Sequence, residues 1–395
     1  MPLTAAIAGD LGLIADTLWS ATAALSESVR QRYAARTADV TVAEGADAVA
    51  LAEPAWRTLE AQGGAATPFQ AFAVAARAAE AHLKLREVPR IVTVSESGRP
   101  MVVFPTVLGR YGGRPAARFL GDPLIQYGDI IASPDATPSH FEAAWRVAAD
   151  PAAVGFVHLR KVRADARIAP FLVRNASVVG QYEAPYVDLR APAAIGSRDA
   201  RELRRFRRRL ADHGELRFEI LGGGAALPAV REALAIKRAW IAERGLPSSV
   251  IGKAVWEAAL CALAAPGPSP LRAARLSAGG RIVAVEIGFV SGGTWSAYLG
   301  ATAPFAAKAG PGHVQMAELI ERSRADGLGT YDLQAPADAY KRTIAHGAVT
   351  VRDYALPVSM RGWLGMVSTR AMPAVKEAIA RLPLGIRQTI VRLRG

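Results

Sequence analysis

The stretch from residue 271 to residue 333 constrains the fold more tightly than any other part of the chain. Three runs, 271–277, 281–290 and 294–300, are apolar and separated by the turns Ala278-Gly279-Gly280 and Ser291-Gly292-Gly293. Paired glycines between such runs supply the left-handed backbone that tight hairpins need, so an antiparallel meander of three strands is expected. A Gly/Pro loop, 304–312, then feeds a helical pattern that lasts to Asp326, and a further strand is expected at 330–333. A meander that hands over through a helix to a new strand makes a mixed sheet.

The flanking elements fit the same plan. An Arg-rich helix at 201–213 ends at Gly214, a strand follows at 216–221, and helices at 226–244 and about 253–265 stop at Gly245 and at Pro266-Gly267-Pro268. A short helix around 338–346 and a strand at 349–356 close this block. The N-terminal half repeats the theme more weakly. It has a hairpin about Gly98 (90–94 with 101–108), a Gly/Pro-punctuated stretch (109–135), a helix at 139–149 and a strand at 154–159. The expected fold class is α/β (α+β), as tandem mixed sheets flanked by helices. The expected units are an N-terminal helical segment (1–40), a first domain (41–185), a second, catalytic domain (186–357) and a basic amphipathic tail (358–395).

Composition narrows the chemistry. Hydrophobic residues make up 51% of the chain, enough for sizeable cores and too many for disorder. The single cysteine, Cys261, excludes a disulfide framework, a Cys-rich zinc site and an iron–sulfur cluster. The six histidines include no H-x-x-x-H pair, so no metal is expected. The net charge of +13 points to an anionic partner. Two segments concentrate it: 201–209 has six Arg and one Glu, and 371–395 has five basic residues and only Glu377. The first also reads as a solvated helix face, and the second as an amphipathic helix at an anionic membrane surface or docked on the body. With 7% aromatics and no aromatic-interleaved basic strands, nucleic acid is the disfavoured partner. No run of about 18 residues is free of both charge and turn formers, and the N-terminus lacks a basic leader, so a cytoplasmic chain is expected, with peripheral contact to the inner membrane left open.

Two local features carry chemistry. In Lys308-Ala309-Gly310-Pro311-Gly312-His313 glycines precede a helix start, where free N–H groups and the positive end of the helix dipole favour an anion. A plain loop is the simpler reading of the same residues. Glu286 interrupts the apolar strand 282–290, and a carboxylate facing inward there would have a raised pKa. On its face by alternation, Ala284 and Gly288 are small enough to leave room for a ligand. A three-residue hairpin loop sets Glu286 across from Tyr298, and a two-residue loop sets it across from Leu299.

The ordered set Arg204-Arg205-Phe206-Arg207-Arg208-Arg209-Leu210, His213-Gly214, Lys237-Arg238-Ala239-Trp240, Ala284-Val285-Glu286-Ile287-Gly288-Phe289, Tyr298-Leu299-Gly300, Pro311-Gly312, Gly327, Tyr331-Asp332-Leu333 and Tyr340-Lys341 resembles the GNAT acetyltransferases, in the cellulose-biosynthesis CelD-type branch. More distantly, the tandem plan resembles the Fem-type aminoacyl-tRNA transferases. The resemblance implies acyl-CoA as donor, no metal, and a small-molecule or lipid amine as acceptor. It implies further that Gly310, Gly312 and His313 hold the donor pyrophosphate. Ala307 stands where that family usually has Gln or Arg, with Lys308 beside it as a substitute. Direct attack of a neutral amine on a thioester needs a base, an oxyanion donor and a proton for the leaving thiolate. Glu286 is the candidate base, Tyr298 its candidate neighbour and Tyr340 the candidate proton donor. Asp332 and Lys341 are candidates for binding the acceptor. A Fem-like transferase drawing on aminoacyl-tRNA is the alternative.

Overall fold

The computed structural model describes residues 38–111, 113–192, 197–360, 362–365, 367, 378, 381–385, 387 and 388. The helical segment expected before residue 38 and most of the tail lie outside these residues. The N-terminal half runs β1 (Ala38–Glu44), α1 (Ala48–Ala61), α2 (Phe72–Lys84), β2 (Val88–Glu96), β3 (Arg99–Tyr111), β4 (Arg114–Phe119), β5 (Ile131–Ala132), α3 (Pro138–Ala148), β6 (Phe156–Arg163), α4 (Ala169–Asn175) and β7 (Ser177–Asp188). The C-terminal half runs α5 (Ser197–Ala211), β8 (Leu216–Gly222), α6 (Leu227–Arg244), α7 (Ala254–Leu263), β9 (Leu271–Ala278), β10 (Arg281–Ser291), β11 (Thr294–Thr302), α8 (Pro311–Ala325), β12 (Thr330–Asp332), α9 (Ala339–Ile344) and β13 (Gly347–Pro357).

The strands join into one mixed sheet in the order β1-β2-β3-β4-β6-β13-β7-β12-β11-β10-β9-β8, with β5 paired to β3. Two neighbouring pairs are parallel, β4 with β6 and β11 with β12. They occupy corresponding places in the two halves, each at the end of an antiparallel meander. The fold is therefore a tandem of GNAT-like mixed sheets. The halves exchange strands where they meet: β13 lies against β6 of the first half, and β7 lies between β13 and β12 of the second. Residues 185 and 186, on either side of the expected boundary, both lie within β7.

The expected meander is present, and the Gly292-Gly293 hairpin has two connecting residues, with φ of 55° and 74°. Both values lie in the left-handed region that a type I′ turn requires, and glycine adopts it without strain. The stretch 109–135, read from sequence only as Gly/Pro-punctuated, contains β4 and β5.

Side chains cross between the halves and fuse the cores. Phe69 of the first half packs on Phe289 of β10 at 5.1 Å and on Tyr298 of β11 at 6.5 Å. Removing a buried ring of this kind costs about 3–5 kcal/mol. Nearby, the Tyr127 hydroxyl donates to Asp332 at 2.9 Å, and Arg163 donates to the other oxygen of the same carboxylate at 2.9 Å. The core beneath the second half's site is thus partly built by the first half.

Candidate active site

The parallel pair β11–β12 holds together for three residues only, Thr294–Ser296 against Thr330–Asp332. Then β12 ends while β11 runs on to Thr302, so the two strands part. On its other side β11 is irregular as well. Ile287 pairs with Leu299 and Gly288 with Ala297, which leaves Tyr298 as a bulge. A bulge bends the strand and re-aims its side chains and N–H groups, a common device beside active sites. The gap is a cavity of about 500 Å³, within the usual range for small-molecule sites.

Glu286 and Tyr331 line this cavity. The Trp295 indole N–H donates to Glu286 Oε1 at 2.8 Å, and the Tyr331 hydroxyl donates to Oε2 at 2.7 Å. Burial raises the Glu286 pKa against the opposing pull of the two donors and of Lys341 nearby, and the balance stands at about 7. Near neutral pH the group is therefore divided between acid and carboxylate, the condition a general base needs.

The bulge changes the expected pairing: Glu286 sits across from Gly300, not from Tyr298 or Leu299. The room expected beside Gly288 is also filled. A Cβ at that position would run into the Trp295 indole, so the missing side chain makes space for the ring that orients Glu286. Both partners of Glu286, Trp295 and Tyr331, escape a reading by strand alternation alone. The one available signal was parity. By alternation Tyr331 of β12 and Leu333, just past the end of that strand, share a face, and both line the cavity.

Tyr298 lines the cavity and its ring packs on Phe69 and Phe289. Burial pushes its phenol pKa well up, opposed by a hydrogen bond from the Gln126 side chain. Tyr340 also lines the cavity while remaining exposed, with its pKa raised by partial burial and then by Asp338 and Glu286. Lys341 lines it too, but its ammonium donates to the carbonyls of Gln334 and Pro336, each at 2.9 Å. Burial lowers the Lys341 pKa while Asp338, Asp332 and Glu286 oppose that shift. Asp332 is placed differently from the expected acceptor-binding role. It is buried, does not line the cavity, and accepts from Tyr127, Arg163 and the Gln334 N–H.

The loop–helix junction forms the opposite wall. Gly310 is the N-cap of α8 at φ 69°, and a side chain there would enter the Phe206 ring. Phe206 in turn stacks on His313 at 5.2 Å and 15°. Gly312 and His313 line the cavity, so the first turn of α8 faces it with the positive end of its dipole. Lys308 is exposed and lies outside the lining. Among the described residues no cluster of His, Cys, Asp or Glu is arranged to hold a metal.

A meander, a bulged strand that parts from its parallel neighbour, and a helix N-terminus aimed into the gap are the layout of a GNAT-like fold. Residues 197–342 match the family model described as an acetyltransferase (GNAT) domain. Among solved structures it is similar to L-PGS from Bacillus licheniformis, with 14% identity over 85% of this chain and 97% of that one (TM-score 0.53). The C-terminal domain of a putative lysylphosphatidylglycerol synthetase from Agrobacterium fabrum is similar at 16% identity, over 82% of this chain and 97% of that one (TM-score 0.51). FemX is similar at 10% identity, over 74% and 93% (TM-score 0.52). These likenesses are of fold, and they span both halves. No curated protein sequence matches the chain.

Proposed function

We propose that this chain transfers an acyl group from acyl-CoA to the amine of a lipid or cell-envelope acceptor, by direct attack. The observation that carries this reading is Glu286, with a pKa of about 7, held by Trp295 and Tyr331 at a cavity whose far wall is the N-terminus of α8. The residues suit such a donor. Gly310 and Gly312 give close backbone approach at a helix start, and His313 stands beside them. The edge of β11 from 297 to 302 that faces away from β10 has no strand partner among the described residues, which suits an extended pantetheine arm. Acyl-CoA supplies a thioester carbonyl open to attack.

In the reaction the acceptor nitrogen forms a bond to the carbonyl carbon and the carbon–sulfur bond breaks. Glu286 takes the proton the nitrogen loses, directly or through water. Backbone N–H groups freed by the bulge at Tyr298 stabilise the oxyanion. The Tyr340 hydroxyl returns a proton to the thiolate, which leaves as free CoA thiol. Incubating the purified chain with acetyl- through palmitoyl-CoA and a panel of amines tests the reading. Thiol release that is abolished in Glu286→Gln supports it. The absence of both binding and turnover with every acyl-CoA would refute it.

A second reading is favoured by one observation, the fold shared over both halves with L-PGS, the lysylphosphatidylglycerol synthetase domain and FemX. In it the donor is an aminoacyl ester on tRNA, as in Fem-type transferases, and Glu286 plays the same part. Transfer from charged tRNA with a steep salt dependence would select this reading over the first.

A further inference from the structure

After β13 the chain turns back against the body with an unusual division of residue types. Residues 360, 362–365 and 367 are helical. Gly362 and Gly365 face the protein. A Cβ on Gly362 would collide with the Gly155 carbonyl, and one on Gly365 with the Phe156 ring. The start of this segment is pinned to the same place. Val358 N–H and the Ser359 hydroxyl both donate to the Gly155 carbonyl, at 3.0 and 3.3 Å.

The large apolar side chains point the other way. Met360 is 61% exposed, Trp363 53%, Leu364 49% and Val367 42%. Their spacing of i, i+3, i+4 and i+7 puts all four on one stripe of the helix. Small residues inward and large apolar residues outward is the reverse of a helix that serves the protein's own core. A stripe of this kind serves a partner. The sequence that carries it is strongly basic: residues 359–395 contain seven Lys or Arg and one acid, Glu377. Apolar side chains flanked by cations match the boundary of an anionic bilayer, where acyl chains take the first and phosphate headgroups attract the second. A protein partner would need a complementary acidic groove, whereas a bilayer supplies both chemistries along any line.

We propose that the stripe Met360, Trp363, Leu364 and Val367 is a membrane-docking face that seats the protein on anionic lipid. Among the described residues no helix is long and apolar enough to cross a membrane, so the contact is one of surface insertion.

Flotation of the full chain with vesicles tests this directly. Vesicles of phosphatidylcholine alone are compared with vesicles containing roughly one third phosphatidylglycerol, at low salt and at about 0.5 M NaCl. The wild type floats with the anionic vesicles at low salt, and both neutral lipid and high salt reduce the bound fraction. The variant Met360→Ser/Trp363→Ser/Leu364→Ser/Val367→Ser loses about tenfold or more of this binding. All four side chains are exposed, so its circular dichroism and melting temperature stay close to wild type. A conservative Trp363→Phe variant retains binding. Three results would overturn the proposal: wild type that stays in solution with anionic vesicles, a quadruple variant that floats equally well, or a wild-type dimer that the quadruple variant converts to monomer.

Discussion

The hydrogen bonds to Glu286 make a quantitative prediction. Trp295→Phe deletes the donor to Oε1 and Tyr331→Phe the donor to Oε2, while each leaves an aromatic ring in place. Both donors favour the carboxylate over the acid, so losing either raises a pKa that already stands at about 7. A hydrogen bond to a charged group contributes roughly 1.5–3 kcal/mol, which converts to about 1–2 pH units at ~1.36 kcal/mol per unit. The assay is kcat/KM against pH with one acyl-CoA and one amine. In the wild type the rate climbs through about pH 7 as Glu286 loses its proton. In each variant the same limb moves upward by about 1–2 pH units. The acceptor amine has its own titration, but a substitution in the protein does not move it. A limb that stays in place in both variants would refute Glu286 as the titrating base.

Three further outcomes follow from the same geometry. Because the folded pKa of Glu286 is raised from 4.5 to about 7, its protonated form stabilises the fold fully below about pH 4.5, and that contribution is lost as pH rises through 7. Glu286→Gln should therefore gain stability over wild type at pH 8, by on the order of 3 kcal/mol in urea denaturation, and little at pH 4. Gly310→Ala places a side chain in left-handed backbone and against Phe206. It should cost at least about 1–2 kcal/mol of stability and raise KM for acyl-CoA more than it lowers kcat, as steady-state kinetics would show. Asp332→Asn removes the charge that Arg163 and Tyr127 address, at a cost of about 2–3 kcal/mol in denaturant titration. Since Asp332 lies outside the cavity, kcat per folded molecule should change little.

Local pattern made the second half legible and the first half less so. The meander 271–300 carries paired glycines at its turns, so its strands could be placed from residues alone. β4, with the sequence Arg-Pro-Ala-Ala-Arg-Phe, has a proline and two arginines and no β-branched residue, so nothing in the Gly/Pro-punctuated stretch marked it as a strand. Its strand character comes from neighbours on both sides, which a local pattern does not contain. At the site, the carboxylate inside an apolar strand was visible as a feature, but its register was not. One bulge at Tyr298 displaces the pairing of Glu286, and a bulge leaves little trace in composition. Trp295 and Tyr331 reach Glu286 from other strands, so only the assembled sheet brings the three together. At the end of β12, alternation separates Tyr331, and Leu333 just past the strand, from Asp332, and the choice between the two faces needed the position of α8.

The exchange of β7 and β13 sets the order in which the protein can mature. As the chain leaves the ribosome, β6 is complete at residue 163, yet the strand that covers its open side ends at residue 357. The first half must therefore wait for nearly two hundred residues of synthesis with an unpaired edge, a state that invites pairing with another nascent chain. Severing the chain between the halves leaves neither with a complete sheet. A first half that supplies none of the cavity's lining residues is still needed, because the second half cannot close its own sheet without β7.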